Sequence, residues 1–196
     1  MAFQCYIINK PFQVLTAFTS SDGKKHLGDF FKVPKDVYPV GRLDYDSEGL
    51  LVLTNDKQLT NRLLNPEFAH KRSYWVQVEG DITPEALEQL SIGVDINING
   101  IPHHTKPAKA MKLETPPNIS ERNPTVRFRE NIPTSWISLT LTEGKNRQVR
   151  RMTAAVGFPT LRLVRYKIEQ LGLQQLQPGE MLEISRNQLY KKLGIS

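Results

Sequence analysis

The sequence predicts an α+β fold, a mixed, mainly antiparallel sheet flanked by helices. Three observations lead there. Strand-like and helix-like stretches alternate irregularly, with tight strand-turn-strand steps as well as helical ones. No Gly-x-Gly-x-x-Gly occurs and no Gly-rich loop ends in Lys-Ser or Lys-Thr, which disfavours a doubly wound nucleotide fold. The 196 residues, 39% hydrophobic, suffice for one compact domain over residues 1–196, with room for two lobes.

In chain order, Tyr6-Ile7-Ile8 reads as a strand running into Asn9-Lys10-Pro11, where Pro11 removes a ladder donor. Ser20-Ser21-Asp22-Gly23 is a turn, and a short helical piece carries Leu27, Phe30 and Phe31 before Pro34. Val37-Tyr38-Pro39-Val40 leads into a charged loop, beyond which Leu50-Leu51-Val52-Leu53 is a buried strand. Asn55 or Asp56 caps a helix through Leu59, Leu63 and Leu64 that stops at Asn65-Pro66. Residues 74–78 alternate like a half-exposed strand, and Thr83-Pro84 opens the clearest helix, with Leu87 and Leu90 facing inward.

Residues 101–133 are rich in proline but keep returning to apolar residues, so they read as strands joined by long loops, Val126-Arg127-Phe128 being one strand-like run. Residues 136–141 alternate as a strand that delivers the chain to Glu143-Gly144. A helix from about Asn146 to Val156 then ends at Gly157. Residues 161–166 and 181–184 form the last strands, and Ser185 caps a final short helix. There is no internal repeat.

The formal charge of +6 and a pI near 9.4 favour a polyanionic partner. Cys5 is the single cysteine, which rules out an internal disulfide and a cysteine-built zinc site and fits a reducing cytoplasm. No basic leader precedes an apolar stretch, and no segment approaches the length that crosses a bilayer. Asn118-Ile119-Ser120 is therefore a glycosylation acceptor only in form. With no long apolar stripe left over, the expected state is a monomer.

Chemistry concentrates in two stretches. In the first, Arg42 and the carboxylates Asp44, Asp46 and Glu48 lie between Gly41 and Gly49, at the mouth of the apolar strand. Its acidic spacing imitates the start of a calcium loop, but the twelfth place is Asn55 where a bidentate Glu is needed. In the second, Glu143-Gly144-Lys145-Asn146-Arg147-Gln148-Val149-Arg150-Arg151, a helix would bring Arg147, Arg150 and Arg151 onto one face. Such crowding calls for a negative group opposite, and the helix start beside Lys145 and Asn146 suits a phosphate. A carboxylate beside guanidinium groups stays ionised, as a nucleophile or a base requires. A solvated acidic turn and a solvated basic face are the plainer readings, and composition and spacing do not name the bond attacked.

At these residues the chain resembles the pseudouridine synthases of the ribosomal small-subunit synthase A type. Gly41-Arg42-Leu43-Asp44, continued by Ser47-Glu48-Gly49-Leu50-Leu51-Val52-Leu53-Thr54-Asn55-Asp56, carries the resemblance most specifically. Asn9-Lys10-Pro11 resembles the first motif, Lys71-Arg72-Ser73-Tyr74 the tyrosine-bearing strand, residues 143–152 the arginine motif and residues 161–166 the closing strand, all in family order. The resemblance implies an active-site cleft across the sheet and an isomerase that needs neither metal nor cofactor. It implies that Asp44 acts on the ribose of a target uridine, as nucleophile or as base, so that the base detaches, turns and rejoins through carbon. Tyr74 would stack on the flipped base and Arg150 would pair with Asp44. Arg42 would fill the gap left in the RNA stack, and Leu163 would pack below the base.

Many such proteins carry a small RNA-binding (S4) domain ahead of the catalytic one. Here the first motif starts near residue 9, which leaves no room for it and resembles the synthase E subgroup, acting on 23S ribosomal RNA or a pre-ribosomal particle. RNA contacts then fall to Lys71, Lys145, Asn146, Arg147, Arg151 and Arg165, with Arg162, Lys106, Lys109 and Lys112 as further cations. Two rival readings are a non-catalytic RNA-binding or ribosome-assembly factor on the same fold, and a metal-dependent nuclease using Asp44, Asp46 and Glu48. His103-His104, read as exposed loop residues, are not placed near those carboxylates.

Overall fold

The structure, a computed structural model, describes residues 3–127 and 130–195. The chain divides into two compact units, residues 1–70 with 164–196, and residues 71–163.

The first unit is built on β1 (Cys5–Lys10) and β3 (Glu48–Thr54), antiparallel, with Tyr6 opposite Leu53 and Ile8 opposite Leu51. Every residue of β3 is buried, as its unbroken apolar run requires of a strand covered on both faces. Between these strands the chain forms a single helical turn, α1 (Leu27–Phe30), and a two-residue strand, β2 (Tyr38–Pro39), paired with the end of β3. Leu27, Phe31, Val37, Leu43, Leu51 and Leu53 meet in one buried cluster. Each such side chain contributes about 1.5–3 kcal/mol when taken out of water. Helix α2 (Lys57–Leu64) follows β3. Its cap is Asp56, whose carboxylate accepts from the N–H groups of Gln58 at 2.9 Å and Leu59 at 3.1 Å. A 3-10 turn over Pro66–Phe68 then carries the chain to the second unit.

That unit is an antiparallel sheet in the order β4 (Arg72–Glu79), β8 (Thr134–Leu141), β7 (Lys109–Leu113). The hairpin of β5 (Asp95–Ile98) and β6 (Ile101–His104) stands apart from it. Helix α3 (Pro84–Ile92) is capped by the Thr83 hydroxyl, which accepts from Ala86 N–H. Val76, Val78, Leu90, Ile137, Leu139 and Met152 are the heart of the second core, to which helix α4 (Gln148–Ala155) contributes Val149 and Met152. Within residues 101–133 the described strands are β6 and β7 alone. Val126 and Arg127 lie in no strand, and Phe128 is outside the described residues.

Strand β9 (Thr160–Ile168) gives its first residues to the second unit and the rest to the first, where it pairs parallel with β3 at Glu48–Val164 and Gly49–Arg165. The first unit closes with β10 (Leu171–Gly172) on β9, β11 (Met181–Glu183) on β1, and α5 (Arg186–Leu193), capped by Ser185 and ended by Gly194. The parallel pair among antiparallel ones makes the β-structure mixed and the fold α+β, as expected.

Candidate active site

The carboxylate loop of the first unit is fixed at both ends. Gly41 has φ +73 and Gly49 φ +106, values that favour glycine, and space is lacking at both. A Cβ on Gly41 would stand 2.8 Å from the Leu64 side chain, and one on Gly49 would collide with Arg165 O, because β3 and β9 run together there. Leu43 is 6% exposed and anchors the loop in the first core. Its peptide groups are both held by one side chain: the Thr16 hydroxyl donates to Leu43 O at 2.7 Å and accepts from Leu43 N–H at 3.2 Å. Asp44 follows, half-buried, and Ser47 N–H donates back to Asp44 O at 3.0 Å, closing a turn over Tyr45 and Asp46.

Lys10 lies in the same unit and is fully buried, with Nζ donating to Pro11 O at 2.9 Å and Val14 O at 2.7 Å. Burial pushes its pKa down to about 7, against the pull of Glu48, Asp46 and Asp44. Sequence reasoning placed Lys10 in a motif but gave it no part in the site. The signal was there, since a lysine ending an apolar strand has few places to put its charge.

Arg165, expected on the RNA surface, is only 5% exposed, and its Nε donates to Leu50 O at 2.9 Å. Arg162 is 7% exposed and donates to Ser120 O at 2.9 Å. Residues 162–165 are buried in succession, so the alternation that would have put a guanidinium outside does not apply. Arg42 is exposed.

In the second unit, Tyr74 projects from β4 half-buried and packs against the core cluster that contains Leu163, so these two predicted residues share one apolar environment. Lys71 stands exposed just before β4. The arginine motif departs from the helix expected to start at Asn146. Arg147 is instead a left-handed cap, φ 51 and ψ 32, and α4 begins at Gln148. The cause is local: the Gln148 side chain accepts from Lys145 N–H at 2.9 Å, folding residues 145–147 into an exposed turn. Arg147 thus caps α4 while Arg150 and Arg151 lie within it, and Arg151 N–H donates to Arg147 O at 3.1 Å.

Arg150, half-buried, donates to Thr160 O at 3.4 Å. Arg151 donates to Asn146 O at 3.1 Å and to Asn97 O, bracing the β5–β6 hairpin. Glu143 braces its other strand: Oε1 accepts from Lys106 N–H at 2.7 Å and from the Gln148 amide at 2.6 Å, while His103 Nε2 lies 3.2 Å from Oε2. Burial raises the pKa of Glu143, but these bonds outweigh it and leave the group below its ordinary value. The two histidines belong to a strand and not to a loop, His103 beside Glu143 and His104 beside Asp95.

Among the described residues no group of three or more His, Cys, Asp or Glu is arranged to hold a metal ion, so Asp44, Asp46 and Glu48 do not converge as a ligand set. No helix among them is long and apolar enough to cross a membrane.

The profile of the family described as RNA pseudouridylate synthase matches residues 4–155. The chain is 53% identical over 178 residues to the ribosomal large subunit pseudouridine synthase E of Vibrio parahaemolyticus, covering 91% of this chain and 72% of that one. It is 47% identical over 176 residues to the protein of that name from Xanthomonas campestris pv. campestris, covering 89% and 91%. A crystal structure titled as a pseudouridylate synthase superposes with a TM-score of 0.80 at 26% identity, covering 97% of this chain and 74% of that one. Sequence motifs, fold and relatives thus coincide, and the chain belongs to the RNA pseudouridylate synthase family.

Proposed function

We propose that the protein converts a specific uridine of large-subunit ribosomal RNA to pseudouridine, in the cytoplasm and as a monomer, with Asp44 as the catalytic carboxylate. The observation that carries the reading is the mounting of Asp44, half-buried between a peptide held on both sides and a closed turn, at the mouth of a fully buried strand. Preorganisation of this kind is what a positioned carboxylate needs. The names of the relatives support the ribosomal substrate.

The reaction is an isomerisation. The bond from ribose to the base nitrogen breaks, a ring carbon takes its place, that carbon loses its proton and the nitrogen gains one. Atoms and electrons balance without an oxidant, a reductant or a cofactor. On the family pattern Tyr74 lies against the flipped base, Leu163 packs below it, Arg150 is the catalytic arginine and Arg42 fills the vacated place in the RNA stack. Tyr74 and Leu163 on one apolar cluster suit a planar base. The exposed Arg42, Lys71, Lys145, Asn146 and Arg147 suit phosphates. Arg162 and Arg165 are buried, and each donates to a carbonyl of the protein, Ser120 O and Leu50 O.

The test is pseudouridine mapping on large-subunit ribosomal RNA incubated with wild type or Asp44→Asn, with EDTA present throughout. A single new site made by the wild type alone is the expected result. A variant that turns over normally would overturn the role of Asp44. Cleaved RNA, abolished by EDTA, would instead mark a nuclease. Tight binding without modification, on naked RNA and on pre-ribosomal particles, would mark a non-catalytic assembly factor.

A further inference from the structure

We propose that Thr16 is the positioning residue of the carboxylate loop: its hydroxyl sets the two peptide planes that precede Asp44 and so fixes where the catalytic carboxylate stands. The inference rests on the reading of Asp44 given above. Thr16 is remote from the loop in sequence, yet one hydroxyl oxygen serves both backbone groups of Leu43, donating to the carbonyl at 2.7 Å and accepting from the N–H at 3.2 Å. The N–H belongs to the peptide between Arg42 and Leu43, and the carbonyl to the peptide between Leu43 and Asp44. Holding both fixes the backbone on each side of Leu43, which with its side chain buried in the core has little freedom left. Asp44 is the next residue along the chain, and its own carbonyl accepts from Ser47 N–H at 3.0 Å.

Thr16 is also held from behind. Its chain neighbours are tied by backbone bonds, Leu15 N–H to Lys25 O at 2.9 Å and Leu27 N–H to Ala17 O at 2.8 Å. Two residues earlier, Val14 O accepts from the buried Lys10 ammonium at 2.7 Å. The hydroxyl is thus the last link of a rigid series running from β1 to the loop. A threonine suits the task because it offers one donor and two acceptor positions on a side chain stiff at χ1. Valine has the same shape and neither capacity.

Displacement of a catalytic group by about 1 Å costs on the order of 100-fold in rate, so the consequence is kinetic. The decisive experiment compares wild type, Thr16→Val, Thr16→Ser and Asp44→Asn under single turnover on large-subunit ribosomal RNA, with RNA affinity measured alongside. Thr16→Val is expected to lower the rate of the chemical step about 10- to 100-fold while RNA affinity stays within about twofold. Thr16→Ser, which keeps the hydroxyl, is expected to stay within a few-fold of wild type. A merely structural role would move stability without this split and without rescue by serine.

Wild-type rate in Thr16→Val overturns the proposal. So does a loss confined to affinity, or a serine variant as slow as the valine one. If Thr16→Val does not fold, Thr16→Ala replaces it under the same criteria, and failure of both to fold makes the hydroxyl a folding requirement and overturns the proposal. Asp44→Asn separates the two layers. Activity retained there, or a wild type inactive on both naked RNA and pre-ribosomal particles, sinks the reading of Asp44 and this inference with it. An inactive Asp44→Asn beside a normal Thr16→Val sinks this inference alone.

Discussion

Lys10 is the residue at which the energetics of the first unit are most exposed to measurement. A buried ammonium bonded to neutral carbonyls is poorly compensated, and desolvation brings its pKa from 10.5 down to about 7 despite the carboxylates of Glu48, Asp46 and Asp44. The sign follows from the proton count. Between about pH 7 and 10.5 the unfolded chain keeps the Lys10 proton and the folded chain has released it, so stability from this group rises with pH in that window. Below pH 7 both states are charged and the cost of burial is fully present. Urea unfolding across that range should show wild type gaining, relative to Lys10→Met, up to about 1.4 kcal/mol per pH unit. Parallel curves for the two proteins would refute the buried charge. Glu143 runs the other way. Its depressed pKa contributes stability that is present above its ordinary value of 4.5 and lost as pH falls through the folded value. The protection factor of the Lys106 amide, whose N–H it accepts, should therefore fall in acid, and Glu143→Ala should quicken its exchange at neutral pH. An unchanged exchange rate in the variant would show that the bond does not hold the hairpin.

At the scale of elements, β3 and β9 meet so closely that the loop before them has one permitted residue at its end. Gly49→Ala combines an unfavourable positive φ with a Cβ driven into Arg165 O, between two backbones that cannot retreat. It should cost at least about 3 kcal/mol or prevent folding, read as a fall in the urea midpoint. Gly144→Ala, where a Cβ would meet nothing within 4 Å, is the matched control and should stay within about 0.5 kcal/mol. Equal midpoints for the two variants would mean that the close approach does not exist. The same two elements show what a sequence displays. β3 was legible because the unbroken apolar run Leu50-Leu51-Val52-Leu53 marks a buried strand, and α2, α3 and α5 because Asp56, Thr83 and Ser185 are side chains that cap by chemistry. The start of α4 was not, because a side-chain bond from Gln148 and a left-handed Arg147 override the helical preference of the residues around them. Arg165 was misplaced for a related reason: a strand buried on both faces carries no alternating signal to say which way its cation points. The carboxylate loop and the tyrosine strand were visible as motifs, and Lys10 left a signal at the end of an apolar strand, but the support from Thr16 is visible only once the chain has folded.

For the whole molecule, a formal charge of +6 is an argument about association with a polyanion, and its cations differ in exposure. Arg42 of the first unit and Lys71, Lys145 and Arg147 of the second are exposed, whereas Arg162 and Arg165 are 7% and 5% exposed. Each exposed cation that neutralises a phosphate releases counterions, so the affinity for RNA should fall with salt at a slope of about 0.7 to 0.9 per contact. Affinity for ribosomal RNA measured from about 50 to 200 mM salt should therefore be steep for wild type and for Asp44→Asn alike. Arg147→Glu should weaken binding most at low salt and reduce the slope by about one unit. Arg165→Met should leave the slope unchanged while lowering the urea midpoint, since what it removes is a bond to Leu50 O inside the first unit. The comparison separates two uses of the same side chain, a phosphate contact and an internal brace, that composition counts identically. A slope that drops equally for both substitutions would place Arg165 at the RNA and contradict its burial, and a slope unmoved by Arg147→Glu would remove the turn at residues 145–147 from the binding surface.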